Sequence, residues 1–70
     1  MTLPDMEAVA ARVHEAWMQS KRALGISTRK SETGEELMVS YDELSEEAKE
    51  LDRGTVNAVY AAIEAINKEN

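Results

Sequence analysis

The chain has no cysteine and no phenylalanine, and its 70 residues include one proline, one tryptophan and one histidine. Without cysteine, neither a disulfide framework nor a cysteine-based zinc site can form. A lone histidine is a poor basis for a metal centre. We therefore expect no metal and no cofactor, and we expect His14 to be partly buried and bonded to a backbone carbonyl, to Glu15 or to Asp52.

Long apolar runs and basic charge are also scarce. No apolar run approaches the ~18 residues of a membrane span, and residues 1–10 lack the basic start and the apolar stretch of a signal peptide. The 14 acidic and 8 basic side chains give a formal net charge of −6, which opposes binding to a nucleic-acid backbone. We therefore expect a soluble, cytoplasmic protein with no membrane and no nucleic-acid partner.

The short length predicts one domain, residues 1–70, with a small core. Chains near this size remove only ~60% of their unfolded surface from water. Carboxylates crowd residues 42–50, but acid–base chemistry needs a water-poor cleft that pushes two pKa values apart. We interpret this segment as a solvated acidic face, and we expect no catalytic residues and no enzyme activity.

Apolar side chains repeat at intervals of three and four residues in two segments, which is the pattern of an amphipathic helix. The first segment predicts a helix over 4–24, with Thr2 as a candidate cap and Gly25 after its end. The second segment predicts a helix over 53–67, with Asp52 as its N-cap. The apolar stripe of this last helix comprises Val56, Val59, Tyr60, Ile63 and Ile66.

The intervening segment is first polar and then briefly apolar. Residues 27–36 hold no apolar side chain and predict an exposed loop. Residues 37–39 predict a short extended anchor, and residues 41–51 predict one or two short helical turns capped by Ser45. The expected fold is therefore mainly α, with two long amphipathic helices packed antiparallel and the extended segment and short turns between them.

Two blocks of specific residues carry more information than this general pattern. Residues 14–25 read HEAWMQSKRALG, and residues 37–55 read LMVSYDELSEEAKELDRGT. In this order the blocks resemble the repeat domain of ryanodine receptors, with its HE-x-W-x-x-x-K-x-x-x-G and L-V-P-Y-x-x-L-x-E-x-x-K-x-x-D-R-x-T patterns. The resemblance implies a non-catalytic helical domain, which occurs in tandem in calcium-release channels and alone in bacteria and phages. In the channels, adenine-nucleotide binding has been associated with this domain.

The preferred functional hypothesis is a non-catalytic module that binds a ligand or a partner. Its most specific version is recognition of an adenine-containing nucleotide by Trp17, Lys21, Arg29 and Asp52. An indole offers a flat surface on which a base can stack, and basic side chains can hold a phosphate. The alternative interpretation of Trp17 is a structural one, in which the ring packs in the core and is largely buried against the last helix near Val56 and Tyr60.

Two other interpretations stay open. An acidic interaction or inhibitor module of phage type, which binds a basic surface of another protein, fits the size and charge equally well. A two-fold homodimer would recreate the paired repeats of the channels. We expect its contact patch to comprise residues 37–39 together with exposed apolar groups such as Met18.

Overall fold

A computed structural model describes residues 5–69 of the chain. Within that range the chain forms helix α1 (Met6–Ala23), a 3-10 turn (Tyr41–Glu43) and helix α2 (Glu46–Glu69), and it contains no strand. The two helices pack against each other. The prediction of a mainly α fold built on two packed helices is confirmed.

Helix α1 begins and ends close to the predicted positions. The Asp5 carboxylate caps its start by accepting the backbone N–H groups of Glu7 and Ala8 at 3.1 and 3.2 Å. The candidate cap Thr2 lies outside the described residues. At the other end, Gly25 adopts a φ of +81°, which a residue without a Cβ adopts readily and which commonly terminates a helix.

Helix α2 is one continuous helix, and this corrects the predicted break at residue 52. Ser45 precedes it, and the Ser45 hydroxyl accepts the backbone N–H of Ala48 at 3.2 Å. Asp52 is therefore not an N-cap, and Gly54 lies inside the helix. A glycine inside a helix lowers stability by about 1 kcal/mol relative to alanine. This cost is too small to interrupt α2, because residues before and after Gly54 pack in the core.

The core is small, and its members come from both helices and the 3-10 turn. Its buried apolar side chains are Ala10, Met18, Tyr41, Leu44, Ala48 and Val56. Three members of the predicted stripe on the last helix are instead exposed: Val59 by 51%, Ile63 by 37% and Ile66 by 57%. An apolar stripe on an amphipathic helix is expected to face the core, and for these three residues that expectation is wrong.

The position where α1 crosses α2 explains this difference. Glu7 and His14, two turns apart on α1, contact the adjacent residues Arg53 and Asp52 of α2. These contacts lie in the first third of α2. The last turns of α2 extend beyond the region that α1 covers.

Arg53 binds the two helices to each other electrostatically. Its guanidinium donates to Glu7 of α1 at 2.7 Å, and to Glu46 and Glu50 of α2 at 3.0 and 2.7 Å. These carboxylates raise the pKa of Arg53. Two members of the predicted solvated acidic face are thus engaged within the fold.

The segment from 27 to 36 is mostly exposed, as predicted, and its own carboxylates organise it. Glu36 accepts the Thr28 hydroxyl and the backbone N–H groups of Arg29 and Met38. Glu35 accepts the backbone N–H and the hydroxyl of Ser45 at 2.9 and 2.6 Å. The loop is therefore linked to the start of α2. No helix in residues 5–69 is long and apolar enough to cross a membrane.

Candidate functional site

A cleft of about 300 Å³ lies between α1, residue 37 and the first half of α2. This volume falls at the lower end of small-molecule sites, which span roughly 300–1,000 Å³. Its walls are mainly apolar, with Val13, Leu37 and Leu51 among the lining residues, and Asp52 and Thr55 add polar groups. A mainly apolar cleft with a few polar groups is the usual composition of a ligand site.

Trp17 forms part of this cleft and is partly buried. Residues 10, 14 and 18, spaced by four, occupy the inward face of α1 and are buried. Trp17 belongs to the neighbouring row, at the flank of the helix. Its indole therefore borders the cleft beside residues 51, 52 and 55 of α2.

His14 lies at the back of the cleft and is 3% exposed. Its Nε2 donates to the carbonyl oxygen of Val39 at 2.8 Å, and its Nδ1 lies 3.0 Å from Oδ2 of Asp52. The prediction that His14 bonds a carbonyl or Asp52 is confirmed for both partners. His14 thus connects α1, the 37–39 segment and α2 around the cleft.

Asp52 has a role different from the predicted helix cap, since its carboxylate pairs with His14. Burial raises the pKa of Asp52, and the adjacent charge and hydrogen bond of His14 oppose that rise. The side chain is 17% exposed and lines the cleft. Asp52 therefore offers an oriented hydrogen-bond acceptor to a ligand in the cleft.

The structure brings together three of the four residues predicted to bind a ligand. Lys21 follows Trp17 by one turn, and its Nζ lies 6.0 Å from the centroid of the indole ring. A cation at this distance is attracted to the ring face. Trp17, Lys21 and Asp52 thus form a group that joins a flat surface, a positive charge and a carboxylate.

The fourth residue, Arg29, lies elsewhere. It lines a neighbouring depression that also contains Lys30, Glu32, Glu35 and Glu47. Carboxylates outnumber cations among these groups, which disfavours a phosphate at that position. The structure therefore does not place Arg29 with the other three residues.

Sequence reasoning missed Thr55 and Leu51 as members of the cleft. Both lie on α2, and the Thr55 hydroxyl donates to the Leu51 carbonyl at 3.2 Å. Residues 48, 51, 52 and 55 share one side of a continuous helix, at intervals of three and four. This spacing is visible in the sequence, but the predicted helix break at Asp52 assigned residues 48 and 51 to one helix and residue 55 to another.

The groups in this cleft are suited to stacking, hydrogen bonding and attraction of an anion. Within residues 5–69 there is no cluster of three or more histidine, aspartate or glutamate side chains able to hold a metal ion. Comparison with known proteins found no match to this chain among protein-family models, curated proteins or solved structures.

Proposed function

We propose that the chain is a non-catalytic binding module whose cleft beside Trp17 takes an adenine-containing nucleotide. The observation that supports this proposal is a mainly apolar cleft lined by Trp17 and Asp52, with Nζ of Lys21 6.0 Å from the centroid of the Trp17 ring. A base stacked on an aromatic side chain gains ~1–3 kcal/mol. Asp52 can accept a hydrogen bond from an exocyclic amine or a ribose hydroxyl, and Lys21 can attract the phosphate.

The resemblance to ryanodine receptor repeats adds support, and we propose that the chain belongs to that family. Trp17 and Lys21 belong to the HE-x-W-x-x-x-K block, and Asp52 belongs to the D-R-x-T block. The two blocks are distant in sequence, yet Trp17 of the first and Asp52 of the second line the same cleft, and Lys21 lies beside Trp17. A single binding site would explain why both blocks occur in the same chain.

Intrinsic fluorescence tests the nucleotide proposal directly, because Trp17 is the only tryptophan. AMP and ADP should change its emission in a saturable way, whereas ribose 5-phosphate, which has no base, should not. Calorimetric titration with the same compounds checks that the change reflects binding rather than light absorption by adenine. If AMP and ADP leave both signals unchanged at millimolar concentration, the proposal is wrong.

A matched pair of lysine variants tests the predicted phosphate contact. Lys21→Gln should weaken ADP binding, because it removes the cation beside the indole. Lys30→Gln should leave binding unchanged, because Lys30 lines the other depression and lies 3.7 Å from Glu36. Equal affinities for the two variants would exclude Lys21 from the site.

The alternative function, an acidic module that binds a basic surface of another protein, has weaker support. Glu46 and Glu50 already bind Arg53, which reduces the charge available to a partner. Asp42, Glu43 and Glu47 remain exposed. This alternative predicts salt-sensitive binding to a basic protein that nucleotides do not displace.

We also propose that the chain forms a homodimer, with a contact surface different from the predicted one. Met18 is only 2% exposed and cannot contribute to such a patch, and Leu37 and Val39 pack against the core. The exposed apolar side chains Val59 and Ile63 lie on the last turns of α2. Residues 57–69 contain only Glu64, Lys68 and Glu69 as charged groups, so two acidic chains can approach each other there.

Sedimentation at micromolar concentration tests the homodimer. A dimer requires a mass twice the 7.8 kDa of one chain. A mass near 7.8 kDa would exclude the dimer and leave the cleft as the site of a monomer.

A further inference from the structure

The hydrogen bonds of His14 require one more proton than a neutral histidine and an ionised aspartate supply. Nε2 lies 2.8 Å from the Val39 carbonyl oxygen, which can only accept, so Nε2 carries a hydrogen. In a neutral imidazole, Nδ1 then presents a lone pair. An ionised Asp52 presents a second lone pair at 3.0 Å. A bond between them needs a proton, whether on the imidazole or on the carboxyl group.

We propose that this shared proton makes the cleft sensitive to pH, with the His14–Asp52 pair holding its walls together only while the proton is present. Without the proton, two lone pairs face each other where His14 is almost completely removed from water. Repulsion is poorly screened in such a place. His14 connects α1, the 37–39 segment and α2. Loss of its hydrogen bond with Asp52 therefore loosens the packing of these three parts against one another.

The other charged groups near the pair have partners of their own. The Tyr41 ring lies 6.3 Å from the His14 ring, and its hydroxyl donates to Glu7 at 3.1 Å. Burial raises the pKa of Tyr41, so its hydroxyl stays neutral through the physiological range. Lys49 lies 5.4 Å from the Tyr41 ring centroid, and Arg53 is bound by three carboxylates. Among these charged groups, Asp52 is therefore the one that pairs with Nδ1 of His14.

The direction of the pH effect follows from counting protons. In an unfolded chain at pH 8, a histidine is neutral and an aspartate is ionised. A folded chain that keeps the shared proton at this pH holds one proton more than the unfolded chain, so its stability falls as the pH rises. At pH 5 an unfolded histidine is also protonated, and the difference disappears.

Nuclear magnetic resonance of the wild-type chain tests the proposal without any substitution. His14 is the only histidine, so its two imidazole nitrogens are identified without ambiguity. At pH 7 we expect one of two results. Either both imidazole nitrogens are protonated and the carboxyl carbon shift of Asp52 is that of an ionised group, or the imidazole is neutral and the carboxyl carbon shift of Asp52 is that of a protonated group. A neutral imidazole beside an ionised Asp52 would overturn the proposal.

Asp52→Asn is the matched variant, because its amide N–H can donate to Nδ1 of a neutral imidazole without an extra proton. The wild-type melting temperature should fall between pH 6.5 and pH 9, and the Trp17 emission should change, since the His14 ring lies 5.5 Å from the indole. Asp52→Asn should be much less sensitive over the same range. Parallel pH profiles for the two proteins would overturn the proposal. This test needs no ligand and is independent of the nucleotide proposal.

Discussion

At the scale of single residues, the cleft exists because neighbouring rows of α1 have different surroundings. Met18 lies in the inward row and is 2% exposed, whereas Trp17, one residue earlier, lies at the flank and is half-buried. A rotation of about 100° around the helix separates consecutive residues. The largest side chain of the chain is thus partly open to a ligand instead of filling the core.

Replacing Trp17 by alanine should cost about 2 kcal/mol of unfolding free energy, because only part of the indole is removed from water. Met18→Ala is the matched control, and its fully buried site should cost about 2–5 kcal/mol. Urea unfolding monitored by circular dichroism measures both. A larger loss for Trp17→Ala than for Met18→Ala would show that the indole is the main support of the core.

Glu36 should stabilise the fold in a manner that depends on pH. Hydrogen bonds from the Arg29 backbone, the Thr28 hydroxyl and the Met38 backbone lower its pKa to about 2 from the usual 4.5. Because the folded pKa is the lower one, the stabilisation is present above about pH 4.5 and is lost as the pH falls towards 2.

Thermal unfolding of Glu36→Gln at several pH values checks this expectation. The amide faces three donors with only one acceptor atom, so the variant should melt below the wild type at pH 6, and the gap should close near pH 2. Glu32→Gln, an exposed control in the same loop, should match the wild type at each pH. A gap that is constant with pH would contradict an ionised role for Glu36.

Residue chemistry made some of these partners predictable. A lone histidine on an apolar face needs hydrogen-bond partners, and the two found for His14 were among those expected. Helical spacing identifies the apolar side of α1 but does not separate its centre from its flank, so it did not indicate that Trp17 borders a cleft. The grouping of Glu36 with three donors depends on the loop conformation, which the sequence does not specify.

At the scale of elements, the continuity of α2 creates one wall of the cleft. Asp52 and Gly54 are residue types that favour helix ends, and local preference therefore predicted a break. In the fold, Asp52 directs its carboxylate to His14, and Ala48 and Val56, on either side of the predicted break, both belong to the core. Tertiary contacts decide the outcome where local signals are weak.

Gly54→Ala should stabilise the chain by about 1 kcal/mol, because alanine favours a helix and narrows the unfolded ensemble. A Cβ at this position meets no atom within 4 Å. Gly25→Ala is the matched control, since it also has open space but a φ of +81°, which strains an alanine. Differential scanning calorimetry should show opposite shifts in melting temperature. Destabilisation by Gly54→Ala would contradict a continuous α2.

At the scale of the whole molecule, α1 covers only part of α2. Composition and periodicity predicted two packed helices, but the crossing point depends on contacts between distant residues, such as Glu7 with Arg53 and His14 with Asp52. The sequence offered Asp52 as one of several candidate partners of His14 but did not indicate the pair Glu7–Arg53. The exposed apolar residues at the end of α2 follow from that crossing point.

Ile63→Glu should convert a dimer into a monomer while the helical signal is retained, because Ile63 is 37% exposed and lies outside the core. Ala61→Glu is the control, since it adds the same charge nearly opposite Ile63 on the helix. Sedimentation and circular dichroism measure mass and folding together. If both variants keep the wild-type mass, self-association does not use this face of α2.

The central claim is that the cleft beside Trp17 binds an adenine nucleotide, and amide chemical-shift mapping with AMP tests it most directly. Binding in this cleft should shift the signals of residues 13–17, 37 and 51–55, which surround it. Residues 29–33, in the neighbouring depression, should be unaffected. Shifts confined to that depression, or no saturable shifts, would contradict the assignment of the cleft.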